Sequence, residues 1–184
     1  MLNTAQPEQE TDSLLDNLQD YTEQQIEKHS IPALSLAVWK DGQLYQATSG
    51  ILNLDTGVEA TADSIFQIGS ITKVFTVSLM MKLVEEERVD LDKPVKHYLR
   101  DFQIGDAKAT EIITVKQLLN HSSGIFGDYQ FDDSKEECAH IARYVDRCSQ
   151  LSLVHPVGEG FSYSNAALVV AGRVIEVVSG ISWA

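Results

Sequence analysis

Positive charge is scarce in this sequence. Its 14 lysines and arginines face 27 aspartates and glutamates, a formal net charge of −13. A phosphate backbone or an anionic membrane needs a basic surface to meet it, so no nucleic acid and no acidic lipid is expected as a partner. Cysteine is equally sparse, with only Cys138 and Cys148. Two cysteines without a CxxC pattern build neither a metal knuckle nor a dense disulfide framework, and both are expected as thiols. The five histidines stand without ligand spacing, so no metal site is expected. Long apolar runs are missing too. No stretch reaches the ~18 residues of a membrane span, and the opening MLNTAQPEQETD has no basic, apolar signal-peptide character. As written the chain is expected to be soluble and cytoplasmic, or periplasmic or secreted if a signal has been removed. Internal repeats and low-complexity blocks are absent as well.

What remains is an ordinary globular composition. With 184 residues, 43% hydrophobic, the chain has room for one domain with a sizeable core. Residues 1–8 are polar and read as a flexible tail, and residues 9–184 as the domain. From Thr11 to His29, Leu14, Leu15, Leu18, Tyr21 and Ile26 recur at helical spacing. Leu34, Leu36 and Val38 then alternate with smaller or polar neighbours. Asp41-Gly42 is a hairpin turn signal, and Leu44 to Ser49 return, which predicts a two-stranded hairpin over about 33–49. Gly50 to Ala62 reads as a loop. From Ser70 onward everything reads as helix: one helix to about Arg88, and a short piece in DLDKPVKHYL. TVKQLLNHSSGI follows, with a capping box at Thr114 and Gln117 and a stop at Gly124. An amphipathic helix in SKEECAHIARYVDRCSQL comes next, then an apolar one in FSYSNAALVVAGRVIEVVSG. The fold class is α+β, a hairpin with a helical region over about 70–184. The acidic runs, Glu85 to Glu87 and Asp132 to Glu137 among them, read as solvated faces.

One short stretch points to chemistry. FQIGSITKVFTVSLMM opens an apolar helix with Gly69, Ser70 and, three residues on, Lys73. At that spacing a lysine amine reaches back to a serine hydroxyl on the same helix face. Serine is a weak nucleophile until a base takes its proton, and a lysine serves if apolar surroundings favour its neutral form. Ile71, Val74, Phe75 and Val77 are expected to provide them. Gly69 allows a sharp turn before the helix, and the helix N-terminus favours an oxyanion there. The competing reading makes Ser70 an N-cap and Lys73 a snorkelling surface residue. A second motif bears on the choice. Tyr163-Ser164-Asn165 opens another buried helix after a loop containing glycine and proline. A tyrosine there can relay protons, and an asparagine amide can bond both the lysine and a substrate carbonyl. Simple capping and core packing are the alternative for these residues.

IGSITK, LLNHSSGI and GEGFSYSN together resemble the class C β-lactamase group of serine hydrolases, from about Ile31 to Ala184. That group includes penicillin-binding D-alanyl-D-alanine peptidases, β-lactamase-like esterases and D-aminopeptidases. The resemblance implies a β-lactamase/transpeptidase-like fold and a catalytic set of Ser70, Lys73, Tyr163 and Asn165. Ser70 is the implied acylated nucleophile and Lys73 its activator. Tyr163 assists proton transfer to the leaving group and activation of the deacylating water, and Asn165 positions Lys73 and the substrate amide. The Ser70 N–H supplies half of an oxyanion hole. No cofactor is implied, and the partner is a small-molecule or peptide substrate. LLNHSSGI is read as structural, with no chemistry for His121.

The sequence departs from the family in one respect. A third motif, Lys or His followed by Thr or Ser and Gly, is absent after Asn165, and the strands that complete the family's sheet are absent with it. The chain is therefore expected to be the N-terminal portion of a longer hydrolase, with little turnover alone and with the missing C-terminal portion of the same fold as a partner. A non-catalytic penicillin-recognising or partner-binding relative is the rival reading. A plain helical interaction domain is a third.

Overall fold

The computed structural model describes residues 14–129 and 140–183. The tail expected over residues 1–8, the first residues of the N-terminal helix, Cys138 and the start of the helix expected from Ser134 lie outside them. The chain divides into two compact units, Met1–Gln67 and Ile68–Ala184.

In the first unit, helix α1 (Leu18–His29) precedes strands β1 (Ala33–Lys40), β2 (Gln43–Asn53) and β3 (Val58–Glu59). The strands form an antiparallel sheet in the order β1-β2-β3. The β1–β2 register runs from Ala33↔Gly50 to Lys40↔Gln43, which leaves Asp41 and Gly42 as the turn. Both have positive φ, 51° and 81°. A type I′ turn requires this of its two central residues, which is why Asp-Gly occurs there. Leu34, Leu36 and Val38 are half-buried while Ser35, Ala37 and Trp39 face outward, the period-two alternation read from the sequence. Helix α1 lies on the hairpin through buried Leu18 and a polar contact, Thr22 Oγ1 to Ser49 Oγ at 2.7 Å.

The expected loop over Gly50 to Ala62 is partly strand. Strand β2 continues to Asn53 and pairs with β3 across an irregularity between Ile51 and Asn53. Gly50 makes this possible, because its φ is 91° and a Cβ there would stand 2.1 Å from the Pro32 carbonyl oxygen. The Asn53 side chain accepts the N–H groups of Asp55 and Thr56. A local side-chain bond of this kind closes a turn without a sequence periodicity to announce it.

The second unit is helical. A 3₁₀ turn (Gly69–Ile71) leads into α2 (Thr72–Glu85), followed by α3 (Ala107–Ile112), α4 (Val115–Leu119), α5 (His140–Arg147) and α6 (Asn165–Ser179). Helix α6 is the centre of the core and packs against α2, α4 and α5. Ala166, Ala167, Leu168, Val170, Ala171, Val174 and Ile175 are all buried, so nearly every face of α6 is covered. Each such valine or leucine contributes about 2 kcal/mol of burial. Ser164 accepts the Ala167 N–H at 3.0 Å and caps the start of α6, and Gly180, with φ 78°, closes its end.

The expected capping box at Thr114 and Gln117 is present. The helix it opens ends at Leu119, however, not at Gly124. Asn120 Oδ1 accepts both the N–H and the hydroxyl of Ser122, at 3.1 and 2.6 Å, which draws the chain out of the helix early. His121 follows in the left-handed region at φ 61°. Helix α3, which the sequence reading passed over, is a single capped turn and a half. Asp106 Oδ1 accepts the Ala109 N–H at 2.7 Å, and a helix this short shows no period. Among the described residues no helix is long and apolar enough to cross a membrane.

Candidate active site

Ser70 sits in the 3₁₀ turn and Lys73 in the first turn of α2. Helix α2 thus begins at Thr72, two residues later than the sequence predicts. Ser70 makes no cap, since neither helix start has a side-chain capping bond. Gly69 has φ 52°, a conformation that costs glycine little and other residues more. A Cβ at this position would meet nothing within 4 Å, so Gly69 is required by its backbone angle and not by crowding.

The Lys73 side-chain nitrogen has two hydrogen-bond partners. Nζ donates to Ser70 Oγ at 3.0 Å and to Asn165 Oδ1 at 2.7 Å. It also stands 4.8 Å from the centroid of the Tyr163 ring, within the range of a cation–π contact. Ser70, Asn165 and Tyr163, the other three residues singled out in the sequence, therefore meet around the Lys73 nitrogen. The Tyr163 phenol is held below its ordinary pKa, first by hydrogen bonding toward Lys73, then by Ser70; desolvation and Asp128 act in the other direction.

The apolar surroundings expected for Lys73 are not those the sequence suggested. Ile71, Val74 and Phe75 are 59%, 64% and 60% exposed. The reason is helical geometry. Residues one or two apart do not share a helix face, so these three project away from Lys73 while Val77, four residues on, shares its side. Thr76, Met80 and Leu83 take the buried face of α2. Ile71, Val74, Phe75 and Leu79 instead form an exposed apolar stripe at helical spacing.

The loop after α4 holds the second motif in place. Ser162 N–H donates to the His121 carbonyl at 2.9 Å, and the Gly127 carbonyl accepts the Asn165 and Ala166 N–H groups at 3.2 and 3.3 Å. These last two are helix-start donors that α6 itself cannot satisfy. A Cβ on Gly127 would fall 2.4 Å from the Tyr163 carbonyl oxygen, so only glycine allows the loop this close. The His121 ring packs on the Tyr163 ring at 4.6 Å between centroids and edge-on to Phe161 at 5.7 Å. Its Nδ1 accepts the Ser164 N–H at 3.2 Å. Burial, then the charge of Lys73, holds His121 below its usual pKa, which favours the neutral ring that can accept at Nδ1.

Two contributors were not legible beforehand. His121 lay in a quoted motif but nothing in its spacing tied it to Tyr163. Asp128 carried no signal at all, and its Oδ1 accepts the Asn165 Nδ2 amide at 3.1 Å. Two cavities of the described residues lie elsewhere. One of about 450 Å³ is lined by Asp106, Lys108, Ile112, His155 and Glu159 among others, and one of about 310 Å³ by Tyr98, Asp101, Phe102 and Arg173 among others. Neither is lined by any of the four clustered side chains, and Tyr163 is 46% exposed.

Known proteins share this arrangement of chain. Penicillin-binding protein 4 of Amycolatopsis lactamdurans is 39% identical over 157 residues, 85% of this chain and 41% of that protein. The crystal structure of SurE superposes with a TM-score of 0.77 at 28% identity, over 94% of this chain and 37% of that one. A class C beta lactamase from Rhodobacter sphaeroides gives 0.71 at 27% identity, over 91% and 46%. The chain thus spans about two fifths of the length of these relatives, and its fold is part of the β-lactamase/transpeptidase-like fold. A family model described as Beta-lactamase matches residues 18–184, from the start of α1 through both clustered motifs, and the chain belongs to the beta-lactamase family.

Proposed function

We propose that this protein is a β-lactamase-related serine hydrolase that works through an acyl-enzyme on an amide, β-lactam or ester substrate. The observation that carries the reading is the pair of hydrogen bonds from Lys73 Nζ, 3.0 Å to Ser70 Oγ and 2.7 Å to Asn165 Oδ1. Ser70 Oγ attacks the substrate carbonyl carbon as its proton passes to Lys73 Nζ, which acts in this step as the free amine. The carbonyl π bond opens to an oxyanion, which collapses as the bond to the leaving group breaks. Tyr163, with its lowered pKa, carries the proton on to the departing nitrogen or oxygen. Water then attacks the carbonyl carbon of the Ser70 ester, its proton passing through the Tyr163 hydroxyl and the Lys73 amine to Ser70 Oγ as the acyl C–O bond breaks. Asn165 orients Lys73 and bonds the substrate amide.

The share of the relatives' length covered here bears on turnover. Ile71, Val74, Phe75 and Leu79 leave an exposed apolar stripe on α2, of the kind that marks a surface made for a further contact. The 184-residue chain by itself is expected to acylate and to turn over little. A second reading is a penicillin-recognising or partner-binding relative without turnover.

A fluorescent penicillin tests both readings, with Ser70→Ala as control. A label that forms on Ser70 and decays supports hydrolysis, and a label that persists supports the binder. Absence of any Ser70-dependent label rejects both. Competition by a D-Ala-D-Ala peptide and a p-nitrophenyl ester then separates the substrate classes.

A further inference from the structure

We propose that Asp128 is a positioning residue that fixes the orientation of the Asn165 amide and, through it, the place of Lys73 Nζ beside Ser70. This rests on the acyl-enzyme reading above only for its kinetic consequence.

Donors and acceptors decide which way the Asn165 amide faces. An amide has two ends of opposite kind, and its carbonyl and NH₂ can exchange places by a half turn of the side chain. An ionised carboxylate only accepts, and a lysine nitrogen, as amine or ammonium, carries hydrogens to donate. Asn165 stands between one of each: Nδ2 donates to Asp128 Oδ1 at 3.1 Å, and Oδ1 accepts from Lys73 Nζ at 2.7 Å. The reversed amide would set oxygen against the Asp128 carboxylate and NH₂ against Lys73, losing both bonds. Asp128 therefore selects the rotamer that offers Lys73 an acceptor. Lys73 Nζ has its second partner in Ser70 Oγ at 3.0 Å, so the chain Asp128, Asn165, Lys73, Ser70 is continuous.

The backbone supports the same purpose. Gly127, immediately before Asp128, accepts the Asn165 and Ala166 N–H groups through its carbonyl. The main chains of the two residues are thus tied within one residue of the side-chain bond, which limits the freedom Asp128 has to be elsewhere. An asparagine at position 128 keeps the shape but can present either end, so it no longer selects.

The test compares the unmodified chain with Asp128→Asn, Asn165→Ala and the double variant. Two readouts are used: the side-chain amide resonances of Asn165 by NMR, and the rate of penicillin adduct formation at Ser70. Asp128→Asn is expected to shift the Asn165 NH₂ resonances and to slow the adduct about fivefold. In the Asn165→Ala background the same change is expected to slow it no further. A rate drop of equal size in both backgrounds overturns the proposal, as does an Asn165 signal that Asp128→Asn leaves in place. If the unmodified chain forms no adduct, the acyl-enzyme reading fails on its own, and the amide resonances alone decide: a shift upholds the positioning role and its absence overturns it.

Discussion

His121 Nδ1 accepts the backbone N–H of Ser164 at 3.2 Å. One bond thereby joins the loop after α4 to the N-cap of α6, where Tyr163 and Asn165 flank the capping serine.

Replacing this acceptor has a defined cost. His121→Phe keeps a ring against Tyr163 but leaves the Ser164 N–H without its partner, and is expected to destabilise by about 1–2 kcal/mol at pH 8. The His121 pKa is lowered in the folded chain, so the unfolded chain binds the extra proton first. The stability from the neutral ring is complete above the ordinary pKa of about 6.5 and is lost as pH falls through the lower folded value. Urea midpoints at several pH values therefore converge for the two proteins on the acid side. A gap independent of pH contradicts the assignment.

Gly127 is set against the Tyr163 carbonyl. Gly127→Ala is expected to cost about 2 kcal/mol or more, since backbone must move at 2.4 Å. It also parts the two loops that form the site. Thermal melting together with the penicillin adduct rate measures both effects, and a variant with unchanged values for each would show the approach to be looser than described.

The two faces of α2 make opposite predictions. Met80 is fully buried and Val74 is 64% exposed. Met80→Ala is expected to cost about 3 kcal/mol, and Val74→Ala within about 0.5 kcal/mol. Equal losses in denaturant titrations would contradict the facing of the helix.

Cys148 is a buried free thiol whose Sγ donates to the Tyr144 carbonyl at 3.4 Å. Burial, then Asp146, pushes its pKa up to about 12. Thiolate is the reactive form, so a disulfide reagent at neutral pH is expected to leave Cys148 untouched until denaturant is added. Peptide mapping after labelling reads this directly, and prompt modification in the folded chain contradicts it.

Much of this arrangement was legible in the sequence because it rests on local rules. Asp41-Gly42 encodes its turn through backbone angles, Thr114 and Gln117 encode a cap, and Gly180 encodes a helix end. Ser70 and Lys73 meet because both lie within a single turn, and that too is local. The surroundings of Lys73 were misread, since apolar neighbours in sequence are not neighbours on a helix face. Asp128 and His121 were invisible for a different reason. Their partners Asn165 and Ser164 lie on the far side of α5, and no spacing encodes a contact made by two loops folding together.

In the proposed mechanism, Ser70 is acylated as Lys73 takes its proton. Intact-mass spectrometry of the chain incubated with a penicillin measures this most directly. The account predicts a single adduct on the Ser70 peptide, absent in Ser70→Ala and slowed about a thousandfold in Lys73→Ala. An adduct that forms at the same rate without the Lys73 amine, or on another residue, would contradict it.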